Sequence, residues 1–276
     1  MKELLVFAFC LIAAPLLAQI PNYEFEEWES REIANPENWV LGGNASITSD
    51  ASDGSKAIRL ENKLATNTFG YVANTVLEQP LRGGQAYNDN PLVLRIDAKY
   101  DLSAGDLAKC IMLMQTAGNT IATVELDLNG NSGDTFTRFR VPIQWVVNTL
   151  PDTVFFAMAS NDFASPINGD GYVIIDNLSF ETFGKADDPI ANPSFEEVNT
   201  NTIVYPQGWY TSDLFVLDEL GMPSESQAVS SSTESHYGKS MLLQNTTING
   251  GILVGLAITG QSFSTDFPPA IELTSK

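Results

Sequence analysis

Histidine, cysteine and basic residues are scarce in this sequence of 276 residues: one, two and 14 of them. The single imidazole, His236, lies in a polar stretch and excludes multi-histidine zinc centres and most histidine-based proton relays. No nucleophile elbow leads into a helix anywhere, so a serine triad around His236 has no support. Of the cysteines, Cys10 falls in an apolar leader, which leaves Cys110 without a partner and excludes an internal disulfide. Cys110 stands in the apolar run to Met114 and reads as a small buried hydrophobe. Fourteen Lys+Arg against 34 Asp+Glu give a net charge of −20, which excludes the basic surface that nucleic acid or an anionic membrane needs. Charged residues are only 17% of the chain, too few for a coiled coil or an acidic disordered tail. The balance suits neutral sugars, divalent cations or simple solubility.

What is present begins with a leader. Met1-Lys2-Glu3 precedes an apolar run from Leu4 to Ala18, too short to span a bilayer and broken by Pro15. Residues 1–18 read as a secretory signal peptide, so the expectation is a secreted or cell-surface protein with no membrane insertion after cleavage.

The rest of the chain repeats itself. Asn22-Tyr-Glu-Phe25-Glu26-Glu27 matches Asn192-Pro-Ser-Phe195-Glu196-Glu197. Pro36-Glu-Asn-Trp39 and Pro206-Gln-Gly-Trp209 follow, and the Asn-to-Trp distance is 17 in both (39 − 22 and 209 − 192). Gly54 and Gly238 then open matching apolar segments, and Pro91–Lys99 resembles Pro268–Lys276. The first copy runs on to Glu181, whereas the second ends at the equivalent of Lys99, so an incomplete second copy is expected. Polar Ser/Glu-rich sequence near 218–236 reads as a loop.

Short alternating segments dominate: Leu92–Tyr100, Ile121–Leu128 and Phe136–Pro142, with more continuous apolar runs at Thr153–Ala159 and Tyr172–Phe180. Turn sequences such as Asn129-Gly130 and Asn168-Gly169 separate them, the pattern of a two-sheet sandwich. No segment after residue 18 shows a long helical period. The predicted organisation is a signal at 1–18, a β-sandwich at 19–183, a linker at 184–191 and an incomplete second β-sandwich at 192–276.

In this order, Asn-x-x-Phe-Glu, Pro-x-x-Trp, the Gly-led strand and a late Ile175-Asp176-Asn177-Leu-Ser-Phe180 resemble galactose-binding-like jelly rolls. More narrowly they are similar to carbohydrate-binding modules and carbohydrate-metabolism domains of secreted bacterial multidomain proteins. The resemblance covers residues 20–183 and part of 190–276. It implies an all-β, antiparallel jelly-roll β-sandwich that binds a polysaccharide or glycan without catalysis. It also implies a structural calcium ion (Ca2+) where the first and last strands meet, held by Glu26 (Glu196 in the second copy) and Asp176. Hard oxygen ligands on a secreted domain without disulfides suit that ion. A structural or adhesive spacer is the alternative reading, and a glycoside hydrolase-associated domain the third.

Aromatic side chains are the natural sugar-stacking candidates. Trp39 and Trp209 occupy equivalent repeat positions and read as core plugs, and Trp28 as a packing position. Trp145, Tyr71 and Tyr87 are left as carbohydrate-binding candidates, with Phe163 a further loop aromatic. Glu125 and Asp127 share a strand face but lack the further carboxylate of laminarinase-type hydrolases, and read as an ordinary half-buried strand. Asp127-x-Asn129-x-Asn131 has Ser132 and Arg138 where a calcium loop needs Gly and Glu, and reads as a hairpin turn. No catalytic residue is assigned.

Overall fold

A computed structural model of the chain describes residues 20–75, 84–183, 190–220, 226–235, 238–248 and 251–259. The leader at 1–18, His236 and the strand expected after Pro268 lie outside the described residues.

Thirteen strands precede the linker: β1 (Trp28–Pro36), β2 (Val40–Gly43), β3 (Ala45–Thr48), β4 (Ala57–Lys63), β5 (Thr68–Ala73), β6 (Gln85–Ala86), β7 (Val93–Asp101), β8 (Ala108–Thr116), β9 (Asn119–Leu128), β10 (Thr137–Pro142), β11 (Gln144–Trp145), β12 (Thr153–Ala159) and β13 (Gly171–Glu181). One layer runs β3-β4-β13-β7-β10 and the other β2-β5-β12-β8-β9-β11, with β6 also on β12. The β4–β5 hairpin joins the layers at Asn62↔Phe69. All strand pairs are antiparallel, as expected of a jelly-roll sandwich.

Period-two alternation places one side of each strand in the core. Ile58 and Leu60 of β4, Leu94 and Ile96 of β7 and Val173 and Ile175 of β13 face Val72 of β5, Met112 and Met114 of β8 and Phe156 and Met158 of β12. Cys110 is fully buried there, and burial pushes its thiol pKa far up, so it is inert packing. A bulge between Asp176 and Ser179 shifts the register of β13. Asn177 takes a left-handed φ of 50° there, so Leu178 and Phe180 rejoin the core on changed parity.

Beyond the linker come β14 (Val198–Pro206), β15 (Trp209–Thr211), α1 (Ser212–Leu220), β16 (Val229–Ser232), β17 (Ser240–Leu243), β18 (Thr246–Ile248), β19 (Gly251–Leu253) and β20 (Ala257–Thr259). Three two-stranded pieces, β15-β20, β16-β17 and β18-β19, form there. Two sequence expectations need correction. Helix α1 was not expected, because two turns are too short to show a period. Thr211 Oγ1 caps it by accepting Leu214 N–H at 3.3 Å, and Leu214 and Leu217 pack on Ile203. Part of the expected 218–236 loop is strand β16, tied to α1 by the buried Asp213, whose carboxylate accepts Ala228 and Val229 N–H at 2.8 Å each. Among the described residues no helix is long and apolar enough to cross a membrane.

A ribbon joins the first strand of the described chain to the first strand beyond the linker. β1 pairs with β14 over nine residues, from Trp28↔Pro206 through Glu32↔Thr202 to Pro36↔Val198. The expected linker also does more than connect: Ile190 is buried in the sandwich core, and Ala191 N–H donates to Gln85 Oε1 at 2.9 Å.

Candidate functional site

A cleft of about 650 Å³ opens where the ribbon meets the sandwich, lined by Trp39, Asn74, Gln85, Tyr87 and the amides of Asn35, Asn38, Asn199 and Asn201. That volume is in the range of small-ligand pockets. Register builds one wall: Asn35 faces Asn199 directly, and Asn201 lies two residues on along the same side of β14. Pro36 ends β1 and Asn38 turns the chain at a φ of 66°, which delivers Trp39 to the cleft floor.

The floor is fixed by bonds already made. Trp39 is buried, stacks edge-on against Phe156 and Phe195, and donates Nε1–H to the carbonyls of Ala191 and Asn192 at 3.2 and 3.1 Å. Asn74 donates to Val154 O and accepts Phe156 N–H, both at 2.8 Å. Gln85 donates to Asn38 O at 3.3 Å. Tyr87 is almost wholly buried and rests on Phe180 with ring centroids 5.0 Å apart. The side chains of Asn35, Asn38, Asn199 and Asn201 are not engaged by any other described residue. Glu37 is the one charged residue among the described lining residues. The cleft therefore presents neutral amides, each both donor and acceptor, around a rigid aromatic floor.

The structure separates the three aromatic candidates. Tyr87 lines the cleft, but mainly as core. Tyr71 lies on the outer face of the second layer, over Gly42 and 6.4 Å from Phe163, and burial raises its pKa. Trp145 pairs with the buried Ala122, so it faces the core, and its Nε1–H donates to Pro91 O at 3.0 Å. It is four strands from Tyr71, about 19 Å, and on the opposite face. Trp145 and Tyr71 therefore do not share a surface. Sequence reasoning missed the amides. Their signal was Asn199-Thr-Asn201, two amides on one side of a strand.

The expected pairing of Glu26 with Asp176 is corrected. Asp176 accepts Ser52 and Asp53 N–H at 2.7 and 2.8 Å and, through its other oxygen, Asn177 N–H at 2.7 Å. Burial raises its pKa against those donors. The glutamate beside that loop is Glu196, which accepts Ser55 and Lys56 N–H at 2.6 and 2.7 Å and the Ser55 hydroxyl at 2.8 Å. Glu26 instead accepts Lys239 N–H at 2.7 Å, at the other end of the nine-residue ribbon, about 26 Å away. The residues present do not fit a calcium ion. Every oxygen of Asp176 and Glu196 already takes a donor. Lys56 Nζ, 3.1 Å from Glu196 O and 3.5 Å from its Oε2, stands where a cation would neutralise it. Asp97 is held by Arg138 at 2.6 Å. Among the described residues no three acidic, His or Cys side chains are arranged to hold a metal ion.

No protein-family model matches the chain, and no curated protein matches it. Solved structures do. TmCBM61, in complex with β-1,4-galactotriose, is 11% identical and matches 52% of this chain and 88% of its own, with a TM-score of 0.32. A family 11 carbohydrate-binding module from Clostridium thermocellum, in complex with a β-1,3-1,4-mixed-linked tetrasaccharide, is 13% identical over 56% and 88%, with a TM-score of 0.29. The enzymatically active domain of tailspike protein 4 of bacteriophage CBA120 is 12% identical over 53% and 20%, with a TM-score of 0.36. At such scores the function rests on the chain's own residues.

Proposed function

We propose that this is a secreted, non-catalytic carbohydrate-binding protein whose polysaccharide or glycan ligand lies in the amide-lined cleft. The observation that carries the reading is the set of four amides, Asn35, Asn38, Asn199 and Asn201, engaged by no other described residue, around Trp39 and Tyr87. Sugar hydroxyls donate and accept, as a carboxamide does, and a neutral ligand asks for no charge. Among the described residues one carboxylate, Glu37, lines the cleft, whereas glycoside hydrolysis uses two flanking the bond. The apolar leader Leu4–Ala18 supports export.

The test is a glycan array and polysaccharide pull-down with the chain lacking residues 1–18. Asn199→Ala with Asn201→Ala should lower affinity at least about tenfold, the loss of roughly 1.4 kcal/mol. Both residues are exposed, so the melting temperature should hold. Absence of binding to any polysaccharide would favour the structural or adhesive spacer instead. That second reading draws on the β1–β14 ribbon, which ties distant parts of the chain together.

A further inference from the structure

The two Asn-x-x-Phe-Glu segments make the same bonds in each other's half. Asn22 and Asn192 each close their own turn onto Glu27 and Glu197, and Phe25 and Phe195 take left-handed φ values of 56° and 57°. Phe195 is fully buried against Trp39, with centroids 5.1 Å apart, while Phe25 rests on Trp209 at 5.3 Å. Trp39 Nε1–H donates to Ala191 O at 3.2 Å, and Trp209 Nε1–H donates to the equivalent Pro21 O at 2.9 Å. Glu37 N–H donates to Glu197 O at 2.8 Å, and Gln207 N–H donates to Glu27 O at 3.0 Å. Glu196 caps the turn at Gly54 and Glu26 the turn at Gly238. Both glycines have positive φ, and a Cβ on either would overlap the capping carboxylate.

Each segment is therefore a plug, and each Trp with its Gly turn is a socket. The plug that fills the Trp39 socket comes from the far side of the linker, carried there by the ribbon. The contacts at the two sockets correspond residue for residue, although Phe195 is buried more deeply than Phe25. Exchange of identical elements between copies is a low-cost route to assembly.

We infer that the socket formed by Trp39 and the Gly54 turn is a docking surface for the Asn192–Glu197 plug of a second copy of this chain. The occupant follows from charge and shape together: a buried ring for Trp39 and a carboxylate for the Ser55 and Lys56 N–H groups. Within one chain the plug is its own, so the two-chain form is reached by unfolding and refolding at high concentration.

Ser194 Oγ lies 3.2 Å from Asp53 Oδ2, which gives the test. In a Cys10→Ser background, Asp53→Cys with Ser194→Cys should join within one chain under a short thiol–thiol cross-linker. Asp53→Cys with Glu24→Cys should not. Next, a chain carrying Asp53→Cys and a size-tagged chain carrying Ser194→Cys are unfolded, mixed and refolded. A mixed cross-linked pair should form, rise with protein concentration, and be lost with Phe195→Ala or, keeping an apolar plug, reduced with Phe195→Leu. Joining of 53 to 24 would overturn the exchange. Absence of the mixed pair at every concentration, with 53 joined to 194 inside one chain, would overturn docking on a second copy.

Discussion

Trp39 and Phe195 meet edge to face with ring centroids 5.1 Å apart, although one precedes β2 and the other precedes β14. Their contact makes a residue from beyond the linker part of the sandwich core, where Phe195 has no exposed surface. Phe25, the matching residue, is only half-buried on Trp209.

This asymmetry sets the first prediction. Phe195→Ala in the chain lacking residues 1–18 should cost about 3–5 kcal/mol, the usual loss for a large buried ring. Phe25→Ala should cost clearly less. Urea denaturation of the two variants side by side checks the order, and equal losses would contradict it.

Fragment boundaries follow. Residues 28–183 leave the Trp39 socket empty and expose core around Ile190's place, whereas 28–206 keep the plug and the ribbon. The longer fragment should melt at the higher temperature and the shorter should bind a dye for exposed apolar surface. Identical melts would return the domain end to residue 183.

Acid should loosen the same joint. Burial pushes Glu196 up, but the Ser55 and Lys56 donors outweigh it and hold its pKa at about 2. Arg140 and then Arg95 hold Glu181 at about 2. Both lie below the ordinary 4.5, so their contribution to stability is full above about pH 4.5 and is lost as pH falls toward 2. Denaturation midpoints across that window should fall, and Glu196→Gln should flatten the slope. An unchanged slope in the variant would reject Glu196 as a contributor.

Calcium should be silent. Lys56 and backbone donors already serve Glu196, and Asp176 is used by the Ser52–Asp53 turn. Melting in millimolar-scale calcium and in chelator should agree, and Lys56→Ala should destabilise in both. A rise of several degrees in calcium, near 2.7 kcal/mol at a hundredfold excess over the dissociation constant, would restore the ion.

Much of the sandwich was legible because its strands carry clean periods. Thr153–Ala159 is β12 to the residue, and Leu92–Tyr100 differs from β7 by one residue at each end. Helix α1 was not, since its stability comes from the Thr211 cap and from Leu214 and Leu217 on Ile203. Trp145 could not be assigned a face, because two paired residues in β11 offer no alternation to read. The Glu26–Asp176 pairing failed for a sharper reason. Asn and Trp stand 17 apart in both copies, so spacing alone serves a plug in its own socket and a plug in the other equally well. The ribbon register decides between them, and register is a long-range property. The cleft amides share that origin, since Asn35 meets Asn199 only through the same pairing.

The ribbon also changes what a broken backbone would mean. A nick between residues 183 and 190 would separate the sequence into two polypeptides but leave the particle in one piece. The N-terminal polypeptide would still have its leading segment lodged against Trp209 and Lys239, and the C-terminal one would still have Phe195 and Glu196 seated at Trp39 and Ser55. Nine paired residues would lie between those two moorings. Each half clasps the other, so integrity is held by side chains and strand pairing even where the peptide bond is lost.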